Sequence, residues 1–243
     1  MNRVRIDRLL LAGGVLMAAG CATTVRYSPD LVAQRIQQVG APMPGKVLIH
    51  TTEAQDAGVY RGRPKSFAGS AVAVNIPFGK MTRDIALKTF HGNFSQGAVA
   101  SDSMSDAAAY RVIIMPQVTH FDYLYRPAPG SLISMVADGR MKLRVKALSP
   151  DAVVLVDKEY DSSRVISEPT AGYLPTVLGQ LAHTTLCDLM ADVARDVKLA
   201  VLQQSMAPGQ SPVPVYVPQP VYTPVPAPLP DPVQVIPDPV VVD

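Results

Sequence analysis

The 243-residue chain is poor in the features that announce chemistry. Its four histidines, His50, His91, His120 and His183, show no metal-ligand spacing. Cys187 stands four residues from His183, but one such pair is a weak metal signal. Gly13-Gly14 and the stretch from Gly92 to Gly97 lack a phosphate-loop pattern, and no Gly-x-Ser-x-Gly elbow occurs. The polar run from Ser101 to Asp106 reads as a loop or helix cap. No catalytic residue, cofactor or metal is therefore expected, and the chain reads as a non-enzyme. Charge of one sign is missing too. Lys and Arg number 22 against 20 Asp and Glu. The first 20 residues hold three of those bases and one acid, so the remainder is balanced. That balance excludes a basic surface for nucleic acid. Beyond the leader, no apolar run approaches the roughly 20 residues a membrane-spanning helix needs.

What is present begins with the leader itself. Arg3, Arg5 and Arg8 precede an apolar run from Leu9 to Ala19, the length of a signal-peptide core. It ends in Met17-Ala18-Ala19-Gly20-Cys21, which resembles the bacterial lipobox, with Ala18 where leucine is usual. The resemblance implies cleavage before Cys21 and diacylglycerol on its thiol. Lipid there gives a peripheral membrane anchor, each buried methylene contributing about 0.8 kcal/mol. Ala22 follows, and a residue other than Asp implies, by the Gram-negative sorting rule, the outer membrane with the protein facing the periplasm. Acylation of Cys21 leaves Cys187 without a disulfide partner, and its place on a helical pattern suits a small buried thiol.

After the leader, 1–20, three parts are expected. Residues 21–44 form a lipidated tether with a short amphipathic stretch from Leu31 to Val39. Residues 45–205 form the folded domain. Residues 206–243 hold 12 of the 23 prolines and no Lys or Arg, which reads as an extended, disordered tail. At about 3.1 Å per residue it would reach on the order of 100 Å, as a spacer through the cell wall or a ligand for an aromatic groove.

Within the domain, Lys46 to Thr52 reads as the first strand, and Ser66 to Pro77 as a strand or hairpin. Met81 to Phe94 reads as a helix capped by Thr82, with Ile85, Phe90 and Phe94 on one side and Gly92 and Gly97 at its end. Tyr110 to Tyr125 reads as a long strand, central in its first half, with Pro116 pointing to a bulge or an edge. Phe121, Tyr123, Tyr125 and Arg126 are candidates for an exposed partner surface, or for half-buried strand-end rings.

From Arg140 to Ala147 the sequence alternates strictly, with Arg140, Lys142, Arg144 and Lys146 on one face. Asp157, Glu159 and Asp161 share a face of the next strand, Val153 to Asp161. A hairpin folded about Pro150-Asp151 would set Arg144 opposite Asp157, Lys142 opposite Glu159 and Arg140 opposite Asp161, with Val145 facing Val156 and Met141 facing Tyr160. The cationic row then reads as a solvated, compensated face rather than a phosphate site. Lys158 falls on the apolar face and is expected to snorkel. A last helix from Pro175 to Gln204 carries Leu178, Leu181, Thr185, Leu189, Val193, Val197 and Ala200 on one stripe, the pattern of a helix lying on a sheet. A coiled-coil or partner-facing role is the alternative.

The expected fold is α+β, one antiparallel sheet of four to six strands covered by two helices. With the lipobox, this order of elements resembles the auxiliary lipoproteins of ABC-type transport systems. More loosely it is similar to the lipoprotein plug of the lipopolysaccharide translocon and the amino-terminal domain of TolB. The likeness covers about Lys46 to Gln204 and implies binding, plugging or scaffolding by an accessory subunit of an envelope complex, in lipid transport or surface-structure assembly. Its partners would be a membrane, through Cys21, and an envelope protein. A wall-spanning regulator of a peptidoglycan synthase and a lipid-binding carrier are the alternatives.

Overall fold

A computed structural model of the chain describes residues 22–25, 27, 38–66, 73–127, 135–162, 166–170 and 174–206. In chain order the elements are β1 (Ala22–Thr24), β2 (Val47–His50), α1 (Glu53–Asp56), β3 (Tyr60–Gly62), β4 (Ala73–Ile76), α2 (Phe78–Asn93), β5 (Ala98–Ser101), β6 (Val112–Pro127), β7 (Met135–Leu148), β8 (Val154–Asp161), β9 (Ile166–Thr170) and α3 (Leu174–Met206). The chain divides into two units, Met1–Pro212 and Val213–Asp243, and the second lies outside the described residues.

The main sheet runs β5-β2-β6-β7-β8, and β9 pairs with the part of β7 that β8 does not reach. The α+β class stands, but the expected all-antiparallel sheet does not. β2 runs parallel to both β5 and β6. The reason is the connection: β2 and β5 are joined by a long crossover that contains α2, which parallel pairing requires. A second, three-stranded sheet, β1-β4-β3, lies outside the single-sheet expectation. The segment expected to be a free tether contributes to it. Ala22 to Thr24 pair with Ala73 to Asn75, and the Val25 amide donates to the Asn75 carbonyl at 2.8 Å.

β6 shows why one long strand serves two neighbourhoods. Val112 and Ile114 are fully buried in the main core, whereas from Phe121 onward it is the odd residues, Phe121, Tyr123 and Tyr125, that are buried. A bulge between Val118 and His120 makes the switch, because one extra residue moves every later side chain to the other face. Pro116 sits two residues past Ile114, the last residue paired with β2. There β6 has lost one neighbour, so the missing donor is tolerated.

The β7–β8 hairpin has the expected faces but a register shifted by two residues. Arg144 is opposite Glu159 and Lys142 opposite Asp161, while Val145 faces Lys158 and Leu143 faces Tyr160. Two local features supply the shift. Ala152 takes a left-handed conformation (φ 60°) inside a turn closed by the Ser149 amide on the Val153 carbonyl, and a bulge follows between Ala147 and Leu148. A two-residue shift preserves the faces. The long side chains therefore reach diagonally and form the expected pairs: Arg140–Asp161 at 2.5 Å, Lys142–Glu159 at 2.9 Å and Arg144–Asp157 at 3.1 Å. Lys158 reaches α3 instead, 2.8 Å from Asp196 and over the Tyr160 ring.

α2 starts earlier than expected, with Pro77 at its cap position, so Thr82 is a buried interior residue and not the cap. Gly92 belongs to its last turn, and Gly97, at φ 70°, makes the turn that follows. α3 buries more than the single expected stripe. Leu178, Leu181, Val193 and Val197 are fully buried, and so are Ala182, Leu186, Met190, Ala194 and Val201. It meets the sheet through β7, β8 and β9, and it also meets α2, so two flanks are covered. Burial of each large aliphatic side chain contributes about 1.5–3 kcal/mol. Gly139 on β7 lets the helix in close, since a Cβ there would stand 2.8 Å from Leu181 Cδ2. Near its far end Lys198 turns inward. Its ammonium donates to the Val39 carbonyl, to the Ala41 carbonyl at 2.9 Å and to Asn93 Oδ1 at 3.2 Å, and burial pushes its pKa down. Residues 38–43 are thereby latched to both helices.

Candidate functional site

The sheet leaves a gap beside β6. β2 accompanies β6 only as far as Ile114, and its chain then turns away at Thr51 into α1. Further along, the same edge of β6 is taken up again, where the Lys65 amide donates to the Tyr123 carbonyl and the Tyr125 amide donates to Ser66 Oγ, both at 2.8 Å. Between these points lies a cleft of about 400 Å³. It opens at the carboxyl end of β2, a strand whose two parallel neighbours lie on opposite sides. In sheets with parallel strands such a reversal point is where ligands are bound.

Local chemistry shapes the walls. One wall is α1, a single turn held by a reciprocal cap in which the Gln55 amide donates to Thr52 Oγ1 and the Thr52 amide donates to Gln55 Oε1. The N-terminus of α2 lies against it. Gly79 permits this contact, because a Cβ there would fall 2.0 Å from the Gln55 carbonyl oxygen, and the Gly79 amide instead donates to the Gly58 carbonyl at 2.9 Å. Arg83 clamps the two helices through Asp56 at 2.8 Å.

Aromatic rings line the interior. Phe78 and Phe121 are buried with centroids 5.0 Å apart, and half-buried Tyr60 meets Phe121 edge-on at 5.3 Å. Thr51 and Thr82, each 4% exposed, belong to the lining, but their hydroxyl oxygens are sealed from solvent and have no hydrogen-bond partner. His120 stands at the mouth, its Nε2 3.0 Å from Asp122 Oδ2. Burial pushes the Asp122 carboxyl up, but hydrogen bonds from Lys65 and His120 and their charges outweigh it and hold the group below the usual carboxylate range. Burial and the Asp122 charge raise the Tyr60 phenol, so it stays neutral. The described residues lining the cleft include no Asp, Glu, Lys or Arg. The arrangement presents aromatic rings, neutral polar side chains and one imidazole.

The expected partner surface is corrected here. Phe121, Tyr123 and Tyr125 are 5%, 1% and 6% exposed, because the bulge turns all three rings into the core. Phe121 stacks on Tyr123, and Tyr123 meets Tyr125 edge-on. Burial pushes the Tyr125 phenol up to about 12. Arg126 alone of the four reaches solvent, and it pairs with Asp138 on β7. Only Phe121 contributes to the cleft. Cys21 and the proline-rich tail lie outside the described residues. Cys187 is a buried thiol with His183 Nε2 at 3.8 Å. Of the cleft residues, Thr51, Gln55 and Tyr60 were not singled out by sequence reasoning, and Thr82 and His120 were read only as a helix cap and as a histidine without metal-ligand spacing. The signal that pointed near them was Pro116, followed by the change of phase from Val112 and Ile114 to Phe121 and Tyr123.

No family model and no curated protein matches the chain. Among solved structures, a Xanthomonas campestris protein of the DUF330 family model is similar over 76% of this chain and 98% of its own, at 16% identity and a TM-score of 0.47. A Helicobacter pylori protein described as a homolog of neuraminyllactose-binding hemagglutinin covers 71% and 94%, at 8% identity and a TM-score of 0.38. An uncharacterized lipoprotein B from Nitrosomonas europaea covers 70% and 92%, at 12% identity and a TM-score of 0.30. These are likenesses of chain outline. No helix among the described residues is long and apolar enough to cross a membrane.

Proposed function

We propose that the protein is a non-catalytic, lipid-anchored accessory subunit of a cell-envelope complex, held by Cys21 at the periplasmic face of the outer membrane. The observation that carries this reading is the leader ending in Ala18-Ala19-Gly20-Cys21. β1 begins one residue beyond that cysteine, so an acylated Cys21 would hold the fold close to the bilayer, with no long tether between them. Lipid transport and surface-structure assembly are the two settings such a subunit serves. The proline-rich segment 206–243 supports a second reading, a regulator that reaches through the cell wall to a peptidoglycan synthase. The lipid-carrier alternative requires an apolar cavity between sheet and helices. That space holds the fully buried side chains of Met141, Leu143, Leu178, Leu181 and Met190.

Metabolic labelling with a palmitate analogue tests the anchor. Wild-type protein should take label and fractionate with outer membranes, whereas Cys21→Ser should lose both properties. Label and fractionation unchanged in that variant would refute the anchor. Membrane pull-downs with 206–243 deleted then separate the readings. Partners retained without the tail support the accessory subunit, and partners lost with it support the regulator.

A further inference from the structure

We propose that the exposed face of the β1-β4-β3 sheet, through Arg61 and Arg63, rests on anionic phospholipid headgroups of the membrane that holds Cys21. This rests on the anchored reading and deepens it, because it gives the anchored domain an orientation.

Charge is unevenly placed along the chain. Beyond residue 20 the bases and acids balance, yet residues 57–83 hold five Lys or Arg and no Asp or Glu. Two of the five are answered from elsewhere, Lys65 by Asp122 at 2.5 Å and Arg83 by Asp56 at 2.8 Å. Arg61 and Arg63 are exposed and meet no carboxylate among the described residues.

Strand register sets both arginines beside the anchor. Ala22, one residue from Cys21, pairs with Ala73, and Thr24 pairs with Asn75. On the other side of β4, Arg61 pairs with Asn75 and Gly62 with Val74, so Arg63 comes next in line toward Ala73. Two strand spacings, about 10 Å, then separate the Arg63 backbone from Ala22. Thr24, Asn75 and Arg61 form one cross-strand row and share one face of the sheet. Val74 and Ile76 point the other way and are buried in the core.

The kind of partner follows from exposure. A single small anion gains little from two guanidinium groups in water, where an exposed ion pair contributes almost nothing. A surface of many fixed negative charges sums those small gains, and the acyl chains on Cys21 would hold such a surface within reach of both side chains. Guanidinium suits phosphate in particular, since its planar fork donates two hydrogen bonds at once. An acidic protein offers similar charge, but nothing brings it to this face as the lipid brings the bilayer. The β7–β8 hairpin is the contrast, because Arg140, Lys142 and Arg144 are already paired with carboxylates.

The chain contains no tryptophan, so one introduced indole reports its own surroundings. Asn75→Trp lies beside Arg61, and Val154→Trp lies on β8 at the edge of the main sheet, at a position 39% exposed. Each is made in the acylated full chain and loaded into nanodiscs of brominated phosphatidylcholine, with or without about one-third phosphatidylglycerol. Asn75→Trp should be quenched several-fold more on anionic than on neutral discs, and the difference should vanish at about 0.5 M salt. Arg61→Gln and Arg63→Gln should each lower the membrane-facing population about fivefold, and together should remove the difference. Lys142→Gln with Arg144→Gln, an equal change of charge, should leave it intact, and Val154→Trp should stay unquenched. Protein that does not co-elute with the discs overturns the anchored reading and this one with it. Protein that co-elutes but is quenched equally on both discs overturns this one alone. So does quenching unchanged by the Arg61 and Arg63 exchanges, quenching removed equally by the hairpin exchanges, or stronger quenching of Val154→Trp. Quenching abolished by polyglutamate at a charge concentration below that of the discs would make an acidic protein the partner instead.

Discussion

The outer face of the β7–β8 hairpin and the cleft beside β6 lie on one sheet and invite opposite mistakes. The hairpin face is dense in charge, and it draws the eye first. Arg140, Lys142 and Arg144 each lie within 3.1 Å of a carboxylate on β8, so the charges are spent on one another. Hydrogen bonds from Lys142 and Thr119, with the Lys142 charge, hold Glu159 below the usual carboxylate range, and Arg140 does the same for Asp161. The cleft has none of that charge. It has instead a concave shape walled by aromatic rings and neutral polar side chains. Compensated charge marks a solvated face, whereas the cleft is shaped by where β2 leaves β6 and α1 turns away.

Removing the buried ring that stacks on Phe121 should break the comparison most severely. Tyr123→Ala deletes a ring 1% exposed that touches both Phe121 and Tyr125, and should cost about 3–5 kcal/mol in urea denaturation. The paired hairpin face has no part in that loss. Asp122 gives an intermediate effect. Its folded pKa lies below its unfolded value, so its contribution is present above the unfolded pKa and is lost as pH falls through the folded one. Asp122→Asn should cost about 1 kcal/mol at neutral pH, discounted for the exposed Lys65 partner, and should flatten the acid limb of the stability curve. A limb unchanged in the variant would show that the contacts with Lys65 and His120 contribute nothing. The smallest effect should come from the charged face. Arg144→Ala should change stability by a few tenths of a kcal/mol, falling toward zero in high salt, as chemical denaturation at two ionic strengths would show. A loss comparable with that of Tyr123→Ala would mean the ladder of ion pairs is structural after all.

How far the sequence is legible differs between these regions for a physical reason. A two-residue error of register leaves the faces of β7 and β8 unchanged, so the long side chains still reach the expected partners in the pairs Arg140–Asp161, Lys142–Glu159 and Arg144–Asp157. The Cα register itself needed the left-handed Ala152 and the bulge at Leu148, which no pattern in the composition of the turn specifies. The same limit explains the misplaced aromatic surface. Read with an unbroken period of two, Val112, Ile114 and Phe121 cannot all face the core. The bulge after Val118 reconciles them and carries Tyr123 and Tyr125 inward as well.

By itself the sequence determined the α+β class, the long strand, the paired charges of the hairpin and the long covering helix, because each rests on a local period or on neighbours one turn away. It also supplied the apolar run from Leu9 to Ala19 and Cys21, the linear signals on which the proposed anchor rests. Tertiary structure alone decided the parallel pairing of β2, the second sheet, the inward turn of Lys198 and the cleft. Each of these joins residues far apart in the chain, as Thr51, Thr82 and His120 are, and the spacing between such residues is set by packing and crossover geometry, which leave no local pattern to read.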